Sequence, residues 1–266
     1  MREFGLQLYS IRDHFVTAES TRDAFLQMAR MGYTSGQTAG TYSYIEPELF
    51  AKYAKEAGIE LFGTHYEYGL IKNHFEETVK YHQTIGAKYI GIGGIDHSLF
   101  KSVDALNGFI EEFNALAARY AEYGFKLTYH NHYLEFTRLE GKNVYDYMIE
   151  GFDKKNVSFC LDTCWAQYAG VDVCGLIERL PGRVDIIHLK DLEAAVPFEL
   201  KDGTILRAPR CVEVGSGNLD FKRIVEAGEK AGTKYFIVED EYYSTGESMD
   251  SIKMSADYIK ANLIEK

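Results

Sequence analysis

Imidazole and carboxylate side chains recur at the ends of four successive β-rich segments in the second half of the chain. They are His130, His132 and Glu135 at the fifth segment, Asp162 at the sixth, His188 at the seventh, and Glu239 and Glu241 at the eighth, and the amine of Lys190 follows the seventh as well. If these ends meet at one edge of a sheet, the groups repel one another and lose hydration, which is costly unless a cation binds among them. The mixed nitrogen and oxygen donors therefore predict a divalent metal ion, and they suit Mn²⁺, Co²⁺, Mg²⁺, Zn²⁺ or Fe²⁺.

The elements that would position these side chains alternate regularly along the chain. Short apolar segments rich in β-branched and aromatic residues predict eight strands, at 4–9, 33–37, 59–64, 89–93, 125–130, 157–162, 184–189 and 235–239. Segments with helical periodicity lie between them, for example 20–31, 103–123 and 250–263. This alternation predicts an α/β fold, a closed (β/α)₈ TIM barrel of eight parallel strands that spans 1–266 as one domain. An open doubly wound sheet is the alternative, but no Gly-x-Gly-x-x-Gly motif follows the first predicted strand.

Glycines and one long gap mark the connections between these elements. A glycine stands between a predicted helix and the following strand at Gly32, Gly58, Gly86, Gly124 and Gly232. A helix that ends in the left-handed conformation favours glycine at this position. The longest gap, residues 190–218, predicts an extended loop after the seventh strand. That loop would lie at the C-terminal end of the barrel, where the active sites of such barrels are built.

The composition narrows the range of partners. The chain has 29 basic and 40 acidic residues, a net charge of −11, which argues against bulk electrostatic binding of nucleic acid or of an anionic membrane. No segment approaches the roughly 20 apolar residues of a membrane span, and the first residues lack the apolar core of a signal peptide. The four cysteines include no Cys-x-x-Cys pair, which predicts reduced thiols. We therefore expect a cytoplasmic protein.

The chain resembles the xylose isomerase-like barrel superfamily, and within it the sugar phosphate isomerases and epimerases. The resemblance lies in Tyr-His-Asn-His-Tyr-Leu-Glu-Phe at 129–136, Phe-Cys-Leu-Asp-Thr-Cys-Trp at 159–165, Ile-His-Leu-Lys-Asp at 187–191 and Val-Glu-Asp at 238–240. It implies a divalent metal ion held by Asp162, His188, Glu239 and a carboxylate from the fifth strand.

The fifth-strand ligand departs from the pattern of the family. Many relatives have the acidic ligand where this chain has His130, and the carboxylate here follows five residues later, at Glu135. The resemblance favours Glu135 as the ligand, with His130 or His132 as the alternative. A second departure is Gln37, at a position where relatives often have glutamate.

The resemblance implies an isomerase or epimerase that acts on a small keto-sugar or sugar derivative. Such an enzyme removes a proton next to a carbonyl group, and a metal ion stabilises the resulting enediolate. Glu239 is the predicted base, Glu135 or His132 the acid/base on the opposite face, and Lys190 a group that polarises an oxygen. Further predicted substrate-binding residues are Tyr9, His65, His130, Trp165 and Glu241.

Three other functions stay open at this point. The same groups would support β-elimination, so a metal-dependent dehydratase or lyase of a keto-sugar, an inosose or a dehydroshikimate-like acid is the main alternative. An apurinic endonuclease has the same fold but would need further metal ligands and a basic surface for DNA. A sugar-binding barrel without catalytic activity is the third. Aromatic side chains on the outer helices could also form a homo-oligomer interface.

Overall fold

Eight parallel strands close into a barrel in the computed structural model, which describes residues 1–39, 45–194, 198–199, 203, 205–206, 209–241 and 246–264. Each strand pairs with its neighbours in chain order, and the first strand also pairs with the last. The strands are β1 (Gly5–Gln7), β2 (Ser35–Ala39), β3 (Glu60–His65), β4 (Tyr89–Ile92), β5 (Lys126–His130), β6 (Val157–Asp162), β7 (Val184–Leu189) and β8 (Tyr235–Val238). All eight coincide with predicted strands, so the predicted (β/α)₈ barrel is confirmed.

Ten α-helices connect and surround the strands in the described part of the chain. They are α1 (Ala18–Met31), α2 (Pro47–Glu56), α3 (Tyr68–Asn73), α4 (Phe75–Ile85), α5 (Val103–Ala121), α6 (Val144–Gly151), α7 (Thr163–Tyr168), α8 (Val173–Glu178), α9 (Phe221–Ala231) and α10 (Ser248–Asn262). The five glycines that were predicted to end helices all have positive φ, for example 101° at Gly32. A side chain with a Cβ is strained in this region, so glycine ends these helices at little cost.

Alternation along the strands places the site residues above the apolar interior of the barrel. One buried cluster contains Cys160 on β6, Ile186 on β7 and Ile237 on β8. Successive side chains on a strand point to opposite faces, so residues two positions further on point to the same side. Those residues are Asp162, His188 and Glu239. The polar groups at the C-terminal end of the barrel therefore rest directly on a layer of packed apolar side chains.

The segment after β7 is tied back to the barrel by one carboxylate. Asp191 accepts backbone hydrogen bonds from Leu192, Gly215, Gly217 and Leu219 at 2.8 to 3.1 Å. A Cβ at Gly217 would lie 2.5 Å from Asp191 Oδ1, so only glycine permits this close approach. The segment contains two antiparallel strand pairs, Asp191–Glu193 with Arg210–Val212 and Phe198–Glu199 with Ile205–Leu206. Residues 195–197, 200–202, 204 and 207–208 of the predicted loop lie outside the described residues.

Two further predictions concern membrane spans and the state of the cysteines. None of the described helices combines the length and the apolar character that a membrane crossing requires. All four cysteines are free thiols.

A buried histidine connects α4 to the barrel. His82 is fully buried, its Nδ1 lies 2.7 Å from the carbonyl oxygen of Thr78, and its Nε2 lies 2.8 Å from Thr64 Oγ1. The carbonyl oxygen can only accept, so Nδ1 carries the proton and Nε2 accepts from the threonine hydroxyl. Burial lowers the pKa of His82 to about 4.

The depressed pKa predicts a loss of stability in mild acid. The unfolded chain takes up a proton on His82 below about pH 6.5, whereas the folded chain does so only near pH 4, so folding becomes less favourable as the pH falls between these values. His82 should therefore contribute about 2 kcal/mol to the drop in unfolding free energy between pH 7.5 and pH 5. Urea unfolding at both pH values should show a smaller drop for His82→Gln than for the wild type. The control His74→Gln changes an exposed histidine and should leave the drop intact; equal drops in all three proteins would contradict this assignment.

Candidate active site

Four buried side chains bring potential metal ligands together at the C-terminal end of the barrel. His130, Asp162, His188 and Glu239 have ligand atoms within 4.8 Å of one another, and we call them the ligand cluster. Their exposures are only 0 to 5%. His130 Nε2 lies 3.5 Å from Asp162 Oδ2 and 3.8 Å from Glu239 Oε2. His188 Nδ1 lies 2.7 Å from the same Glu239 oxygen.

Several buried nitrogen and oxygen atoms of the ligand cluster have no hydrogen-bond partner among the described residues. Within the described part of the chain these include Asp162 Oδ2 and both ring nitrogens of His130. An unsatisfied buried polar group costs about 1 to 3 kcal/mol. Two imidazoles and two carboxylates are donors that first-row divalent metals accept. The orphaned atoms and the chemistry of the set therefore fit a divalent metal ion at this position.

Gln37 orients one imidazole of the cluster. His188 Nε2 lies 2.6 Å from Gln37 Oε1, and that oxygen also accepts a 3.2 Å hydrogen bond from Gln7 Nε2. An amide oxygen can only accept, so the proton of His188 resides on Nε2. A carboxylate oxygen also only accepts, so in the metal-free protein Nδ1 donates a second proton toward Glu239. Burial alone would lower the pKa of His188, but Cys160 and Glu239 outweigh it and raise the pKa to about 10. A bound metal ion would replace the Nδ1 proton, while Gln37 keeps Nε2 protonated, as a histidine ligand requires. Glutamine does this without adding the charge that a glutamate would bring.

Glu135 lies outside the ligand cluster, in a short 3₁₀ turn (Leu134–Phe136) beyond the end of β5. Its Oε1 accepts a hydrogen bond from the Tyr129 hydroxyl at 2.8 Å, and its Oε2 accepts one from the His132 backbone N–H at 2.9 Å. Tyr129 precedes His130 on the strand and so points to the other face of the sheet. The structure therefore does not bring Glu135 to the other three predicted ligands. His130, the alternative considered from the sequence, lies in the cluster instead.

Lys190 places a fully buried ammonium group beside the cluster. Its Nζ lies 2.8 Å from Glu241 Oε1, 3.7 Å from Glu239 Oε2 and 3.8 Å from Asp162 Oδ2. Burial alone would lower the pKa of Lys190, but the three carboxylates outweigh it and hold the pKa well above its usual range. Burial would likewise raise the pKa of Glu239, but Lys190 and His188 outweigh it and hold that pKa well below its usual range. Lys190 is therefore a cation and Glu239 an anion at neutral pH.

The remaining predicted substrate-binding residues lie at different distances from the cluster. The His65 ring lies 4.8 Å from that of His130 and 5.2 Å from that of His188. Burial and the neighbouring His188 lower the pKa of His65 to about 3, so its imidazole is neutral. The His132 ring lies 5.0 Å from His130. Tyr9 is 37% exposed, and its ring packs against the Arg12 guanidinium.

Sequence reasoning missed two residues that hold the site in place. Asn131 Oδ1 accepts a 3.0 Å hydrogen bond from the Asp162 backbone N–H, and this bond links β5 to the ligand on β6. Tyr129 binds Glu135, as described above. Both belong to the 129–136 motif, which was the only sequence signal that could have found them.

Tyr133 separates two cavities beside the cluster. One has a volume of about 500 Å³ and is lined by Glu67, Tyr68 and His132 among others. The second has a volume of about 450 Å³ and is lined by Trp165 and Tyr168 among others. Both volumes fall in the range of small-molecule sites. His132 lines the first cavity, and its ring lies 5.0 Å from that of His130; Trp165 lines the second, and its ring lies 5.0 Å from Lys190 Nζ.

The fold agrees with the comparison to known families. Residues 25–262 match the family model described as xylose isomerase-like TIM barrel. The chain belongs to this family. The sequence resemblance noted above is thereby confirmed.

The names of proteins similar to this chain describe more than one kind of activity. An inosose dehydratase of Geobacillus thermodenitrificans is 25% identical over 241 residues, which cover 81% of this chain and 80% of that protein. A sugar phosphate isomerase/epimerase structure from Parabacteroides distasonis superposes with a TM-score of 0.84 at 19% identity, over 100% of this chain and 96% of that one. A probable 3-DHS dehydratase, AsbF of Bacillus anthracis, gives a TM-score of 0.73 at 13% identity, over 97% and 98%. At identities of 19% and 13%, the likeness to these two structures shows the shared fold alone.

The positions of His130 and Glu135 predict that a substitution of His130 weakens metal binding, whereas a substitution of Glu135 does not. His130→Ala should weaken binding of Mn²⁺ or Co²⁺ by more than the roughly 10- to 100-fold that loss of an outer-shell partner costs, because it removes a ligand. Glu135→Gln should leave the affinity within about threefold, since its oxygens bind Tyr129 and His132 and not the cluster. Isothermal titration of the metal-free proteins measures both affinities. The reverse order of the two effects would return Glu135 to the role of ligand.

Proposed function

We propose that the chain is a divalent-metal-dependent dehydratase, a lyase that removes water from a small keto-sugar or cyclic polyhydroxy ketone. The observation that carries this proposal is the pair of Lys190 Nζ and Glu239 Oε2, which lie 3.7 Å apart. Elimination of water needs a base for a carbon-bound proton and an acid for the departing hydroxyl. Glu239 and Lys190 supply an anion and a cation within reach of one substrate.

The relatives with matching length support the elimination reaction. Inosose dehydratases align with about four-fifths of this chain, and their name describes loss of water from a cyclic polyhydroxy ketone. The substrate proposed here is a small carbohydrate of that kind.

The metal would be held by His130, Asp162, His188 and Glu239. A bound divalent ion is a Lewis acid that polarises the carbonyl group of the substrate and so acidifies the neighbouring C–H bond. Two imidazoles favour Mn²⁺, Fe²⁺, Co²⁺ or Zn²⁺ over Mg²⁺, which prefers an all-oxygen octahedron. The carboxylates of Asp162 and Glu239 would balance the two positive charges of the ion. The Lys190 ammonium group is paired with the carboxylate of Glu241.

The side chains of the chain complete a balanced reaction. Glu239 accepts the proton from the carbon next to the carbonyl group, and the electron pair of that bond forms the new C=C bond as the C–O bond at the β-carbon breaks. The departing oxygen takes a proton from Lys190 and leaves as water. Glu239 then returns its proton to Lys190 over the 3.7 Å between them, which restores both groups. His65 is neutral and can donate to a substrate hydroxyl.

Isomerisation or epimerisation, expected from the sequence, is the second candidate because it has the same first step. It needs a further acid/base group to return the proton to another position or face. His132 is the group available, since it lines the 500 Å³ cavity, whereas both oxygens of Glu135 are already bonded. The identity of the product distinguishes the two reactions.

Changing the proposed base should remove turnover without unfolding the protein. At saturating metal, which is needed because Glu239 is also a proposed ligand, Glu239→Gln should lower kcat by at least about 10²- to 10⁴-fold, the usual contribution of a general base. A panel of inososes and ketoses incubated in D₂O, with NMR detection of the exchanged α-proton, measures the base step whichever product forms. The control Glu178→Gln changes an exposed glutamate and should leave exchange intact. Undiminished exchange in Glu239→Gln, or in protein stripped of metal by a chelator, would overturn the proposal.

The product should be an unsaturated ketone. Loss of the α-proton and the β-hydroxyl creates a conjugated enone, which tautomerises to a 1,2-diketone where the α-carbon carries a hydroxyl. Turnover should therefore produce a new ultraviolet absorption and a product lighter by the mass of one water molecule. Lys190→Met should reduce this product more than it reduces α-proton exchange, because Lys190 acts on the leaving oxygen. A product of unchanged mass with inverted or moved oxygen functions would favour the isomerase or epimerase instead.

A further inference from the structure

Three aromatic rings form a cleft next to the ligand cluster. The ring centres of Tyr133, Trp165 and Tyr168 lie 5.2 to 5.8 Å from one another. Together with Leu192, Arg210 and Cys211 they line the cavity of about 450 Å³, which we call the aromatic cleft. Tyr133 and Tyr168 are each 42% exposed, so part of each ring is open to solvent. The exposed ring faces offer a stacking surface that the proposed single-ring reaction does not use.

The aromatic cleft lies close to the reacting centre. The Trp165 ring centre lies 5.0 Å from Lys190 Nζ, and the His132 ring lies between Trp165 and His130 at 5.9 Å and 5.0 Å. The backbone N–H of Trp165 also donates to Asp162 Oδ1 at 2.8 Å. A ligand stacked on Trp165 in the cleft would therefore lie near a substrate at the ligand cluster.

The chemistry of the cleft selects a neutral ring that carries hydroxyl groups. Among the described lining residues Arg210 is the one cation, and its guanidinium already pairs with Glu193, so a phosphate finds no unpaired positive charge there. Aromatic faces bury the apolar C–H face of a ring, while phenol and indole groups bond to polar substituents at its edge. Trp165 Nε1 is buried without a hydrogen-bond partner in the described part of the chain, and it could donate to such a hydroxyl.

We propose that the aromatic cleft is a subsite for a second sugar ring, so that the substrate is a keto-glycoside of two linked rings. This inference rests on the proposed function, because it places the reacting ring at the ligand cluster. Trp165 borders both rings, whereas Tyr168 contacts only the second. The advantage of a two-ring ligand over a one-ring ligand should therefore depend on Tyr168.

The single tryptophan of the chain makes binding directly measurable. Trp165 is the only tryptophan, so its fluorescence reports a ligand on either side of it. Metal-loaded protein is titrated with glucose, cellobiose and phenyl β-glucoside as inert probes. Cellobiose should bind about tenfold more tightly than glucose, the effect of one good aromatic contact. Tyr168→Ala should remove that advantage, Tyr168→Phe should retain most of it because the ring remains, and Tyr123→Ala, an exposed tyrosine on the outer surface, should not change it.

Each outcome decides for or against the second sugar ring. Equal affinities for cellobiose and glucose in the wild type would overturn the inference, as would an advantage that survives Tyr168→Ala. Phenyl β-glucoside binding much more tightly than cellobiose would overturn the sugar assignment in favour of an apolar group. The proposed function fails differently: α-proton exchange would then be absent or independent of metal, whatever the two-ring affinity. Exchange with one-ring ketones but no two-ring advantage would leave that function standing and reject only the subsite.

Discussion

The candidate site depends on several charged side chains that are buried against one another, away from water. Asp162 and Glu239 are almost fully buried carboxylates, and Lys190 is a fully buried ammonium group. Each would be prohibitively unstable alone in such a place. Together they compensate one another only in part, since Asp162 Oδ2 and both His130 nitrogens lack partners among the described residues. A divalent cation would satisfy these atoms, so the constraint that makes the site costly is also what supports the proposed metal site.

The barrel makes this arrangement possible through register. Asp162 and His188 are paired positions on β6 and β7, and Ile237 on β8 pairs with His188. Two-residue alternation then places Glu239 beside His188, above Ile237 and Ile186. Side chains outside the cluster fix what register alone does not. Gln37 accepts the Nε2 proton of His188 and so orients the ring, and Asn131 ties the Asp162 backbone to β5. The four cluster side chains are thus held in place by the protein itself, and such preorganisation is the condition for electrostatic catalysis.

The sequence predicted the barrel and three of the four cluster residues because both follow from local pattern. Asp162, His188 and Glu239 are polar residues at or next to the C-terminal ends of apolar strands. The C-terminal ends of parallel strands meet at one end of the barrel. The position of Glu135 could not be predicted in this way, because it lies beyond β5 in a turn whose direction depends on the Tyr129 hydroxyl. The bond between Gln37 and His188 joins residues 151 positions apart, and no periodicity reports such a contact. The relative exposure of Tyr133 and Tyr168 likewise depends on the packing of α7 against the turn after β5.

The central claim is that His130, Asp162, His188 and Glu239 hold one divalent metal ion. The most direct test is a crystal structure of the protein with bound Mn²⁺, with anomalous diffraction collected at an energy where manganese scatters strongly. We predict one anomalous peak at about 2.0 to 2.3 Å from an atom of each of the four side chains, with Glu135 still bonded to Tyr129. A peak coordinated by Glu135 in place of His130, or no peak at this end of the barrel, would contradict the account.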